Sequence, residues 1–140
     1  MTSNFEINKV LKKGHPSFKG CFHVKNLPPF PTKLPTSYII YNKGHWLSLL
    51  IRNENQCFYF DSFGSKIKNK KIIEFLKPYY SSIVYSSQKI QHDKSILCGI
   101  YCIAFIKGVN NLKNFKTFIK LFHSKNLFFN DFIVLNCVKF

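Results

Sequence analysis

The chain has 140 residues, 46% of them hydrophobic and 17% aromatic, which suits one packed domain and is too short for two. Sixteen Phe and seven Tyr exclude an intrinsically disordered chain, and no apolar run reaches the roughly 20 residues of a membrane-spanning helix. The formal charge of +15 sets 21 basic residues against 6 acidic ones. A field of that sign attracts polyanions, so nucleic-acid contact and a plain solvated lysine surface are both open readings. Arg52 is the only arginine and Ala104 the only alanine, a skew of the kind an A+T-rich coding sequence produces. Met1 to Lys13 has no apolar segment of the signal-peptide type, and five Cys then read as thiols in a reducing compartment.

Ser3-Asn4-Phe5-Glu6 has capping-box spacing, and Ile7, Val10 and Leu11 follow at helical period before Gly14, which predicts a first helix over about 4–13. Pro28, Pro29, Pro31 and Pro35 predict an extended surface loop. Strand-like runs follow at Tyr38 to Tyr41, His45 to Ile51 and Cys57 to Asp61, the last two joined as an antiparallel hairpin by the turn chemistry of Arg52-Asn53-Glu54-Asn55. Lys70 to Lys77 reads as a short helix stopped by Pro78, and Ser82 to Tyr85 as another strand. Leu97 to Val109 has almost no polar face, the pattern of a buried central helix. Two further helices are expected near Phe115 to Phe122 and Leu127 to Val138. The fold class that results is α+β, a small, mainly antiparallel sheet packed on that central helix.

Six carboxylates serve the whole chain, and Asp61 sits at the end of the apolar strand Cys57-Phe58-Tyr59-Phe60. If the hairpin turns over Arg52 to Glu54, Asp61 faces His45, so that a carboxylate orients an imidazole; a one-residue change of register would separate them. The bland alternative is a surface His and a turn-capping Asp. Ser95 as N-cap places Cys98 in the first turn of the buried helix, where the helix dipole and free N–H groups stabilise a thiolate. Gly99 beside it leaves room for a substrate. His45 is the candidate base, and the Gln91 amide is a candidate donor to an oxyanion. On these residues alone a buried structural Cys98 stays open.

Gly44-His45-Trp46, Asp61-Ser62-Phe63-Gly64, Gln91 and Leu97-Cys98-Gly99-Ile100-Tyr101-Cys102, in that order, resemble the adenovirus maturation protease and the superfamily it shares with the SUMO-specific cysteine proteases. The resemblance spans roughly residues 20–107. It implies that Cys98 is the nucleophile at the N-terminus of the central helix, His45 the general base and Asp61 its orienting acid. Gln91 and the Cys98 N–H would form the oxyanion hole, with Trp46 packed near the imidazole. Gln88 fits the spacing less well. The acid departs from the Glu of the adenovirus enzymes and matches the Asp of the SUMO proteases. Tyr79 to Ser87 holds no Cys, which argues against a disulfide-tethered activating peptide of the adenovirus kind.

What the resemblance implies is a single cysteine-protease domain over 1–140. It would be a viral endopeptidase that cleaves virion precursor proteins during maturation, at or next to Gly. It would act as a monomer inside the host cell, in a virus factory or the nucleus, and in the virion. Its chemistry needs no cofactor, while DNA or a viral peptide could serve as activator. The alternatives are a protease of SUMO or ubiquitin conjugates, acyl transfer to a host protein, and a basic nucleic-acid-binding module on an inactive protease fold. Metal ligand pairs are lacking, since there is no C-x₂-C and no H-x₃₋₅-H. Cys57, Cys102 and Cys137 read as core, Cys21 similarly, and the remaining histidines as surface or core residues. Lys66, Lys68, Lys70 and Lys71 form the densest basic cluster.

Overall fold

The computed structural model describes residues 3–138 and is α+β: five helices and one five-stranded sheet. Helix α1 (Asn4–Leu11) is capped by Ser3, whose side chain accepts the Glu6 N–H, and it buries Ile7 and Leu11, four residues apart on one face. Strand β1 (Phe18–His23) was not expected from the sequence. It pairs in parallel with β2 (Thr36–Asn42), and the Pro-rich surface segment forms the connection between them. Strands β2, β3 (His45–Asn53) and β4 (Gln56–Phe60) form an antiparallel meander. Helix α2 (Lys70–Phe75) and a 3₁₀ segment then lead to β5 (Ile83–Tyr85), parallel to β4. The sheet is thus antiparallel in its centre and parallel at both edges, in the order β1-β2-β3-β4-β5.

Strand β3 shows why the sheet is covered on both faces. Leu47, Leu49 and Ile51 point to one cluster, with Tyr38, Ile40, Cys57, Tyr59, Ile72 and Leu76. Trp46 and Leu50 point to the other, which is the larger core. At the centre of that core lies α3 (Cys98–Gly108), buried continuously from Cys98 to Ile106 as its all-apolar sequence requires. Around it pack α1, α4 (Leu112–Lys120) and α5 (Leu127–Cys137). Helix α4 turns Phe115, Phe118 and Ile119 inward and its lysines outward. Phe60 stacks on Phe105 with ring centroids 5.0 Å apart, and burial of each such side chain contributes about 1.5–3 kcal/mol. Helix α3 packs most closely on β3, and its first residue, Cys98, lies beside His45 and Trp46 at the start of that strand.

Candidate active site

His45 opens β3, and its Nε2 lies 2.8 Å from Asp61 Oδ1. The hairpin register behind this differs from the expected one. Ser48 pairs with Phe60 and Leu49 with Tyr59, so Asp61 continues level with Leu47 rather than with His45. The cause is local: the ladder shifts between Ile51 and Asn53, and the chain reverses tightly over Glu54-Asn55, with the Asn55 N–H donating to Asn53 Oδ1. A shift of two residues keeps both side chains on one face, and the carboxylate reaches the imidazole diagonally. Asp61 Oδ1 also accepts the Phe63 N–H at 2.8 Å, and the Phe63 ring stacks on the imidazole at 4.6 Å. The carboxylate is therefore held from the backbone side while it orients the ring.

Besides its bond to Asp61, His45 engages Cys98, whose side chain hydrogen-bonds with it. Cys98 is the first residue of α3. Ser95 is not the N-cap: Leu97 holds that position without a side-chain bond, and Ser95 Oγ accepts the Leu97 N–H from further out. Cys98 is 4% exposed, and burial alone would push its thiol up. Hydrogen bonds from His45 and from the backbone of Trp46 and Gly99 outweigh that and hold it below the ordinary thiol value. For His45, burial pulls the imidazole down, while its bonds to Asp61 and Cys98 raise it to about 9. Both shifts favour a thiolate–imidazolium pair at neutral pH. The other four cysteines move the opposite way: burial raises Cys21 and Cys57 to about 12, holds Cys102 well above the ordinary thiol value, and raises Cys137 as well.

Gln91 is fully buried beside this pair of elements. Its Oε1 accepts from Ser62 Oγ and its Nε2 donates to the Ser95 carbonyl at 3.0 Å, which leaves the second amide N–H for a ligand. The Ser62 carbonyl takes the N–H groups of both Ile90 and Gln91. Gly64 completes the junction: its φ is +74°, and a Cβ there would lie 2.7 Å from the Ser87 carbonyl oxygen. The motif Asp61-Ser62-Phe63-Gly64 thus orients His45 with its first residue and docks the Gln91 segment with the others. Gln88 contributes backbone to the Gly64 contact, and its residue lines a separate cavity with Val84 and Phe115.

Two residues of α5 that the sequence reading left unused hold the same segment from the far side. Asn130 Nδ2 donates to the Ile90 carbonyl at 2.8 Å. Asp131 Oδ1 accepts from both Ser95 Oγ and Tyr101 Oη at 2.9 Å. Their only local signal is polarity within an apolar helix, Asp131 being one of six carboxylates in the chain.

Trp46 is buried and packs edge-on against Tyr41 at 4.9 Å, so the ring stacked on the imidazole is that of Phe63. Cys57 and Cys102 are core residues as expected; Cys137 is exposed at the end of α5, which corrects its reading as core, and Cys21 is half-buried. Among the described residues, no group of three His, Cys, Asp or Glu could hold a metal ion, and no helix is long and apolar enough to cross a membrane.

No family model matches the chain, and no curated protein matches it in sequence. Among solved structures, its fold is similar to the central domain of the uncharacterized Lpg1148 protein from Legionella pneumophila. The TM-score is 0.55 at 12% identity, over 99% of this chain and 98% of that one. At that identity the likeness is one of fold.

Proposed function

We propose that the chain is a cysteine endopeptidase acting through a thiolate–imidazolium pair. The observation that carries this reading is the His45 imidazole, fixed by Asp61 at 2.8 Å and hydrogen-bonded to Cys98 at the start of α3. In this mechanism the Cys98 thiolate attacks the scissile carbonyl carbon, and the developing oxyanion takes hydrogen bonds from the Gln91 amide and the Cys98 N–H. The His45 imidazolium gives its proton to the leaving amine. The neutral imidazole then draws a proton from water, which attacks the thioester and releases the acid and the thiol. His45 is the more open partner, its side chain 18% exposed against a nearly covered Cys98 residue. An extended substrate passing along a covered nucleophile favours Gly at or next to the cut. In line with the sequence resemblance, we assign virion precursor proteins as the substrates.

A library of tryptic peptides, incubated with the protein with and without duplex DNA and read by mass spectrometry, tests the proposal. The expected result is a set of cuts at or next to Gly that vanishes in Cys98→Ala and in His45→Ala. Peptide patterns identical to those of Cys98→Ala under both conditions would contradict it.

A further inference from the structure

The lysines concentrated at positions 66–71 in the sequence do not stand alone in the fold. Lys68, Lys70 and Lys71 face Lys25 and Lys43 across a groove of about 700 Å³, and Gly44, the residue before His45, lies in its wall. All five lysines are exposed. The groove lining contains no Asp or Glu, and the ion pairs among the described residues are His45–Asp61 and Lys89–Asp93, so none of the five is neutralised by a carboxylate. Three separate stretches of chain therefore converge to hold like charges together beside Gly44, one residue from the candidate base His45. Concentrated positive charge of this kind lowers the free energy of an anionic partner and speeds its arrival.

We propose that this groove binds an acidic segment of the polypeptide substrate, flanking the bond presented to Cys98. The inference rests on the endopeptidase reading for its direction and on the groove itself for its chemistry. A groove of this size takes a few residues of extended chain, and its wall is continuous with the strand that begins at His45. A single-stranded nucleic acid is the less suitable occupant. Such strands bind by stacking bases on offered aromatic rings, and the two lining rings are already engaged, Tyr41 edge-on by Trp46 and His23 against Tyr41.

The test is direct binding, which does not require cleavage. Fluorescein-labelled peptides of matched length, one carrying four Asp or Glu residues and one the corresponding Asn or Gln residues, are titrated by anisotropy into the Cys98→Ala protein. The expected result is salt-sensitive binding of the acidic peptide, weakened about tenfold or more by the triple change Lys68→Ser, Lys70→Ser, Lys71→Ser. A matched triple change on α4, at Lys113, Lys116 and Lys120, should leave it nearly unaltered. Equal binding of the two peptides overturns the proposal, as does equal weakening by both triple changes, which would mean attraction to net charge alone. A DNA oligonucleotide whose binding is lost with Lys68, Lys70 and Lys71, while the acidic peptide does not compete, also overturns it. The same two triple lysine changes, made also with Cys98 intact, are checked for folding by selective alkylation of Cys98 at pH 6. An unreactive Cys98 alongside intact acidic-peptide binding would sink the endopeptidase reading and spare the groove.

Discussion

One oxygen of Asp61 serves two partners: Oδ1 lies 2.8 Å from His45 Nε2 and accepts the Phe63 N–H at 2.8 Å. The carboxylate is thereby locked to its own strand end while its charge falls on the imidazole. Asp61→Asn keeps the shape and an acceptor for Phe63 but removes the charge and can favour the wrong imidazole tautomer. Peptidase kcat/KM should fall by about 10²–10⁴ with little change in the fold. Steady-state kinetics on the variant, with near-ultraviolet circular dichroism as the check on folding, measure this.

The same pair sets a pH dependence of stability. The folded value of His45 is raised from 6.5 to about 9, so its contribution is complete below about pH 6.5 and is lost as pH climbs through about 9. The stability gap between wild type and Asp61→Asn should therefore be largest near pH 6, at roughly 1–2 kcal/mol, and narrow by pH 10. Urea unfolding at the two pH values reads it; a gap that widens with pH would contradict the assignment.

Gln91 is tested by Gln91→Glu, which keeps an acceptor for Ser62 Oγ and removes the amide donor together with its bond to the Ser95 carbonyl, so urea unfolding is measured beside the kinetics. A loss of about 10²-fold in kcat at nearly constant KM is the expected outcome, since the donor acts on charge that exists only in the transition state.

Gly64 tests the docking of the Gln91 segment. A Cβ there meets the backbone of Ser87, Gln88 and Lys89 within 2.8 Å, at a φ that disfavours any L side chain. Gly64→Ala should cost about 2 kcal/mol or more in urea unfolding, and kcat should drop because Gln91 moves with the loop.

Much of this was legible locally. Periodicity and capping marked α1, the meander of β2, β3 and β4, and above all α3, because those signals lie within a few residues of one another. Strand β1 escaped because its pairing is parallel and long-range, its ladder shifts between Phe18 and Gly20, and Gly20 stands at a φ of +139°. The hairpin register escaped because the irregularity around Arg52 alters the pairing without altering the turn residues that announce it. Even so, His45 and Asp61 meet, since a two-residue slip preserves the face. The anchoring by Asn130 and Asp131 crosses about 40 residues of chain and leaves no mark in local pattern. The lysine groove is similar: three of its five lysines cluster in sequence, while Lys25 and Lys43 join them only through the fold.

The most direct measurement is the pH dependence of iodoacetamide alkylation, with peptide mapping to separate Cys98 from the other four thiols. Four of the five cysteines have thiols pushed up by burial, and Cys98 alone is held below the ordinary value. The account predicts selective alkylation of Cys98 at pH 6 and loss of that selectivity in His45→Ala. A Cys98 that reacts only above pH 8, or equally well without the imidazole, would contradict it.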